Sequence, residues 1–461
     1  MDSVTRRSSM PVSVEALWAW HTRPGALERL LPPWDPVHVV SRTGGLANGT
    51  RVTLSVPFGP LRLRWTSEHR DVNPPDGFVD AQIAGPFAHW EHLHAMRADG
   101  PASSSLEDRI TFQGPAGPIG RAVARRSVAA RLPALLRYRH ETLAADLAAH
   151  ARVADRPRLT VGITGASGLV GTALRHFLAT GGHRVVRFVR GAGGGAGADG
   201  PDVVAWDPQT GFPAPDRVPA LDAVVHLAGA GVADRRWTPR RMALIRDSRV
   251  QGTSSLAKAL AALPRPPRTL LCASAIGFYG FDGRTPIDET APMGDGFLAA
   301  VCGRWEAAAD PARAAGLRVA HLRLGLVLTP AGGILKPLSR VFRAGAGGVV
   351  GSGAQGMSWV GLDDVIGAFH HALFDDGIAG PVNVTAPEPV ANAAFTAALG
   401  RAVHRPTLIP APAFGLRLLL GRQMADETAL SSGWILPSRL EAAGYAFRHR
   451  RLDDALAHYL P

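Results

Sequence analysis

The chain has 461 residues, too many for one ordinary core, and its 46% hydrophobic and 19% charged residues exclude wholesale disorder. Its net charge of +12 is almost all arginine, spread along the chain, with only Lys258 and Lys336 as lysines. Two cysteines, Cys272 and Cys302, exclude a disulfide framework or a four-thiolate metal site, and no apolar run is long enough to span a membrane.

Three segments are expected: 1–150, then 159–403 after a polar linker at 151–158, and finally 404–461. The N-terminus, Met1 to Arg7, has no secretory apolar stretch, so a reducing cytoplasm is the expected compartment, and no metal ligands are assigned. The first segment opens with a short strand at Val4–Ser8 and one helix over Val14–Leu31, stopped by Pro32-Pro33-Trp34. Strand-like runs follow at 36–41, 49–56, 61–69, 77–83, 88–96 and 104–112, punctuated by Gly44, Gly45, Pro74, Pro75, Gly100 and Pro101. A long helical pattern over 122–149 closes the segment. Its arginines (Arg121, Arg125, Arg126, Arg131, Arg137, Arg139) lack interleaved aromatics, so they read as a solvated face and no nucleic acid is expected.

Strand, helix, antiparallel strands and one long closing helix describe a curved sheet around a helix. With Trp34 after paired prolines, Gly49, and Tyr138-Arg139-His140 in the last helix, the segment resembles the START-like helix-grip (SRPBCC) superfamily. The resemblance implies an α+β domain with an apolar cavity that holds a hydrophobic ligand.

The second segment alternates apolar strands with helices, the habit of a doubly wound parallel α/β sheet. Strands are expected at 159–163, 183–189, 203–206, 223–227, 269–273 and 318–328, and helices at 170–180, 240–260 and 296–313. Gly191 to Gly200 reads as a loop. Between the first strand and the first helix stands Thr164-Gly165-Ala166-Ser167-Gly168-Leu169-Val170-Gly171. Three glycines at spacing three, between a strand and a helix, form a Rossmann dinucleotide fingerprint that lets a pyrophosphate approach the helix N-terminus. About 60 residues on, the strand ending His226-Leu227-Ala228-Gly229 supplies small residues beside an adenosine. No acidic residue lies between His183 and Ala198 to hold a ribose 2′-hydroxyl, whereas Arg187 and Arg190 do occur there. Arg190, at the strand's end, is the candidate for a 2′-phosphate, so NADP is expected over NAD.

From Leu159 to Leu456 the chain resembles an atypical, epimerase-like branch of the extended short-chain dehydrogenase/reductases, of the nucleoside-diphosphate-sugar epimerase type. The resemblance rests on the two motifs above and on Arg236-Trp237-Thr238, Asp247-Ser248-Arg249, Ser274 to Gly280, Trp305-Glu306, Ser358-Trp359-Val360 with Asp363-Asp364, and Gly380 to Asn383. The stretches 404–412 and Gly444 to Phe447 match that branch's appended domain, so a small C-terminal α/β region on the substrate side is implied. A homodimer is the superfamily's default. The resemblance also implies oxidoreductase or epimerase chemistry through a tyrosine with a lysine four residues on, and this chain has no such pair. Aligned on Glu306, the tyrosine and lysine positions carry Leu298 and Cys302. Ser274 stands at the substrate-binding serine, with Tyr279 as the substitute acid and Glu306 as an alternative base. Trp359 is expected to line the substrate side. A non-catalytic NADP(H) sensor or scaffold is the competing reading.

Overall fold

The computed structural model describes residues 1–59, 61–115, 117, 122, 125, 126, 128–191, 202–208, 211–280 and 283–461. Arg121 and residues 192–200 of the expected glycine loop lie outside these. The chain divides into two compact units, one of Met1–Pro157 with His176–Gly182, the other of Arg158–Arg175 with His183–Pro461. Among the described residues no helix is long and apolar enough to cross a membrane.

In the first unit, β1 (Asp2–Met10) alternates exposed and half-buried residues, the period-2 signature of a strand with one wet face. Helix α1 (Val14–Thr22) starts at Ser13, whose hydroxyl accepts from the Ala16 amide, and buries Val14, Leu17 and Trp20. The single helix expected over Val14–Leu31 is corrected: Pro24 offers no amide hydrogen, Gly25 turns left-handed at φ +90°, and a separate α2 (Ala26–Leu30) follows. Strands β2 (His38–Arg42), β3 (Arg51–Phe58), β4 (Leu61–Asn73), β5 (Gly77–Ala84), β6 (His89–Gly100) and β7 (Ser103–Gln113) complete one antiparallel sheet, in the order β1-β7-β6-β5-β4-β3-β2. Helix α3 (Leu132–Ala151) covers the later part of the expected 122–149 pattern, in which 122, 125 and 126 are also helical, with Pro133 in its first turn, where a missing donor costs nothing. Met10, Leu17, Trp20, Phe78, Met96, Leu106, Leu143 and Leu147 form its main apolar cluster. A cavity of about 610 Å³ remains, walled by sheet residues such as Leu54, Val56, Trp65 and Trp90 and by Leu135 and Arg139 of α3. Arg139 is therefore a cavity residue, which corrects the reading of the whole arginine group as a solvated face.

In the second unit seven parallel strands form one sheet, ordered β10-β9-β8-β11-β12-β13-β18. They are β8 (Thr160–Thr164), β9 (Arg184–Val189), β10 (Val203–Ala205), β11 (Ala223–His226), β12 (Thr269–Ala275), β13 (Arg318–Leu324) and, after the short β14 (Leu326–Thr329), β15 (Gly332–Gly333), β16 (Gly356–Met357) and β17 (Trp359–Gly361), β18 (Gly380–Val384). Every residue of β11 is buried, as expected for a strand covered on both faces. Helix α4 (Leu169–Thr180) links β8 to β9, α5 (Pro239–Ala261) links β11 to β12, and α6 (Phe297–Ala307) with α7 (Asp310–Ala314) links β12 to β13. The strand expected over 318–328 splits at Gly325, where a Cβ would stand 2.6 Å from the Ser358 carbonyl oxygen. Trp359 is wholly buried, with its indole N–H on the Glu388 carbonyl at 3.0 Å, so it is a core residue and not the expected pocket lining.

Helix α8 (Leu335–Arg343) precedes α9 (Leu362–Phe374), whose first turn carries Asp363 and Asp364. Asp364 accepts from the Arg448 and His449 amides at 2.7 and 3.1 Å, and Asp363 accepts from the Tyr459 hydroxyl at 2.8 Å. Two carboxylates adjacent in sequence thus hold the last fourteen residues, from Arg448 on, onto the Rossmann sheet's own helix. Four short helices lie between Ala413 and Tyr459.

Candidate functional site

Seven parallel strands end on the same edge of the sheet. Chain order reverses between β8 and β11, and a crevice at that edge is where such sheets bind ligands. Thr164 closes β8 and His226 closes β11, directly opposite in register. The Thr164 hydroxyl oxygen receives the Leu227 and Ala228 amides at 3.2 and 3.3 Å and lies 2.7 Å from His226 Nδ1. With its lone pairs so engaged, Thr164 donates to Nδ1, which places the neutral ring's proton on Nε2. Burial pushes the His226 pKa down to about 4, aided by the Arg249 charge, so the ring stays neutral and the bond keeps its direction. The two cofactor motifs read from sequence are therefore one hydrogen-bonded unit.

The glycines are required by contact. Gly165 has φ +68°, and a Cβ there would lie 2.8 Å from the Leu227 carbonyl carbon. At Gly171 a Cβ would stand 2.2 Å from the Gly165 oxygen, and at Gly168 it would stand 3.2 Å from that oxygen. Ser167 and Gly168 are exposed, Ala166 is buried, and Leu169 and Val170 open α4, a twelve-residue helix whose N-terminus meets the loop. The loop is thus a cradle that side chains would fill, next to a positive dipole end, and this fits a pyrophosphate. Ala228 is half-buried. Gly229 is exposed, and a Cβ there would sit 3.3 Å from the Arg249 guanidinium carbon. Arg190 is exposed immediately beyond β9.

Further along the same edge, Ser274, Arg323 and Asn383 are partners in register on β12, β13 and β18. The Ser274 hydroxyl donates to Glu306 Oε1 at 2.6 Å. Arg323 gives Nε and Nη2 to the two Glu306 oxygens, both at 2.8 Å, and Nη1 to the Tyr279 hydroxyl at 2.8 Å. Tyr279 in turn donates to Asn383 Oδ1 at 2.8 Å, and burial raises its pKa above the usual value. The guanidinium also stacks on Phe278, with Cζ 3.4 Å from the ring centroid. Ser274, Tyr279 and Glu306, read separately from sequence, are brought into one network, and Arg323 and Asn383 join it unforeseen. An arginine inside Val319-Ala320-His321-Leu322-Arg323-Leu324 was the available signal, because a charge in a buried strand demands a partner. Cys302 is buried and its thiol is pushed up to about 12, so it holds no reactive thiolate. Trp305 packs, donating to the Thr253 hydroxyl at 2.9 Å.

Comparison with known proteins places the parts. Residues 161–384 match the NAD dependent epimerase/dehydratase family, 10–137 the polyketide cyclase / dehydrase and lipid transport family, and 411–459 a domain of unknown function, DUF1731. An epimerase family protein of Mycobacterium bovis is 41% identical over 298 residues, 65% of this chain and 96% of that one. Human epimerase family protein SDR39U1 is 34% identical over 304 residues, 65% of this chain and 98% of that one. The crystal structure of a nucleoside-diphosphate sugar epimerase from Corynebacterium glutamicum has a TM-score of 0.81 at 33% identity, covering 99% of this chain and 90% of that one. Human SDR39U1 (isoform2), crystallised with NADPH, has a TM-score of 0.59 at 31% identity, covering 66% of this chain and 99% of that one. With its Rossmann sheet, its glycine cradle and these relatives, the chain belongs to the NAD-dependent epimerase/dehydratase family, in the branch of the epimerase family proteins, and carries a polyketide cyclase-type domain in front.

Proposed function

We propose that the protein is an NADP(H)-dependent oxidoreductase or epimerase-like enzyme acting on a small molecule. The observation that carries this is the glycine cradle hydrogen-bonded through Thr164 and His226 to the end of β11. The NADPH in the human relative's structure and the exposed Arg190 in place of an acidic residue favour NADP over NAD. When bound, the nicotinamide supplies the hydride chemistry, and the protein's own residues handle the proton. Because Ser274 gives its proton toward Glu306, its oxygen presents lone pairs to a substrate hydroxyl. A proton leaving that hydroxyl passes to Ser274 as the serine's own passes to Glu306 Oε1, and reduction runs the relay backward. Tyr279 positions this relay through Arg323 and Asn383, the hydroxyl contributing if Asn383 releases it. In the first unit, the cavity of about 610 Å³ holds an apolar ligand.

The test is a titration with NADPH and NADH followed by nicotinamide fluorescence, repeated on Arg190→Ala, then a carbonyl-substrate screen. Expected are NADPH binding that weakens about tenfold in the variant while NADH binding is unmoved, and oxidation of bound NADPH by a carbonyl compound. A second reading, a non-catalytic NADP(H) sensor or scaffold, is favoured by the Tyr279 hydroxyl being held on both sides and by the missing tyrosine–lysine pair. Tight NADPH binding with no turnover across the screen would select it. No binding of either nucleotide would defeat both.

A further inference from the structure

The inner face of the first unit's sheet carries chemistry that no part of the nucleotide reading uses. Cross-strand register makes two rows: His69, Asp80 and His92 on β4, β5 and β6, and Phe78, His94 and Asp108 on β5, β6 and β7. Residues 92 and 94 are two apart on one strand, so both rings point to the same face. That face fronts the cavity, whose walls include His69, Asp80, His92 and His94. His92, His94 and Asp108 are each less than 5% exposed.

These groups crowd together at ion-pair distances, but with hydrogen-bond geometry that leaves several atoms unaligned. His94 Nδ1 lies 2.7 Å from Asp108 Oδ1 and its Nε2 lies 3.4 Å from Asp80 Oδ2. His92 Nε2 is 3.5 Å from Asp108 Oδ1. Yet both His94 nitrogens, His92 Nε2 and Asp108 Oδ1 are buried without an aligned hydrogen bond. One donor atom from each of Asp80, His92 and His94 lies within 4.8 Å of the others.

We propose that Asp80, His92 and His94 bind a divalent transition metal ion, of the zinc class, in the wall of this cavity. Two imidazoles and one carboxylate are a ligand set that such ions select over magnesium or calcium. Bonds of about 2.0 Å to a tetrahedral ion set the ligands about 3.3 Å apart. The 3.4 Å between His94 Nε2 and Asp80 Oδ2 already has that length. Outer partners are in place: His69 Nδ1 stands 2.5 Å from Asp80 Oδ1, and Asp108 sits beside both imidazoles. Arg139 Nη1, 3.4 Å from His92 Nδ1, competes for that nitrogen and withdraws when the ion arrives. Three protein ligands leave at least one position facing the cavity, where the carbonyl or hydroxyl oxygen of an otherwise apolar molecule completes the shell. This assignment stands independently of the nucleotide site.

The experiment uses the full chain, stripped with a chelator and titrated with Zn²⁺ by calorimetry, and with Co²⁺ by its visible absorption. One ion per chain is expected, with a Co²⁺ spectrum of low coordination number. His94→Gln and Asp80→Asn each weaken binding at least tenfold, while exposed His38→Ala does not. Arg139→Leu tightens binding by removing the competing cation. Circular dichroism and NADPH titration of each variant separate lost ligation from lost folding. If His94→Gln fails to fold, His92→Gln and the wild-type Co²⁺ spectrum decide. Sub-stoichiometric binding, or binding unchanged in His94→Gln, overturns the proposal and leaves a histidine–aspartate network that only ties β5, β6 and β7 together.

Discussion

Arg323 and Glu306 meet through two parallel hydrogen bonds of 2.8 Å, with side chains only 3% and 12% exposed. One comes from near the end of a largely apolar strand and the other from a helix, and between them they organise Ser274 and Tyr279. A bidentate pair this dry is stable as a pair and costly when halved, because the survivor keeps its desolvation penalty.

Arg323→Leu should therefore lower stability by about 3 kcal/mol and disorder Ser274 and Tyr279 together. Denaturant unfolding of Arg323→Leu, Glu306→Leu and the double variant checks this. The double variant should recover part of the loss, and strictly additive losses would show that the two residues are not coupled.

His226 gives a pH dependence with a definite sign. Its pKa falls from 6.5 unfolded to about 4 folded, so between those values the unfolded chain takes up a proton that the folded chain refuses. Stability from this residue is complete above pH 6.5 and is lost as pH falls toward 4, by about 3 kcal/mol in all. Unfolding free energies at pH 7.5 and pH 4.5 for wild type and His226→Gln should differ in slope by that proton. Equal slopes would place the folded pKa near its ordinary value.

At the cradle, Gly171→Ala puts a methyl 2.2 Å from the Gly165 oxygen, so either the turn or the helix must move. NADPH binding should be lost by more than a hundredfold, whereas Gly168→Ala, at 3.2 Å and exposed, should lose about tenfold. Fluorescence titration ranks the two, and a reversed rank would mean that the loop is not held as described.

Tyr459→Phe removes one hydroxyl that donates to Asp363 Oδ2 at 2.8 Å and accepts from the Asp363 amide at 3.1 Å. Both residues are buried, so a loss of about 2 kcal/mol is expected. Limited proteolysis should then cut sooner within 438–461. An unchanged cleavage rate would show that the anchor is carried elsewhere.

Periodicity and punctuation gave most of the elements up to about residue 328, and none of the helices and strands beyond it. Apolar runs with β-branched residues gave six of the seven parallel strands, and Gly165, Gly168 and Gly171 in a strand–turn–helix context gave the glycine loop, because those constraints act between neighbours in the chain. Local reading misjudged the break at Pro24-Gly25, the split at Gly325 and the burial of Trp359, since burial and close approach depend on what packs from elsewhere. Only the tertiary structure could decide the two polar constellations. Ser274, Arg323 and Asn383 are far apart in sequence and become neighbours through strand register, and Asp80, His92 and Asp108 do so across three antiparallel strands. A lone histidine or arginine in a strand is nearly silent in sequence. It becomes chemistry when the sheet removes water and sets a second charge beside it.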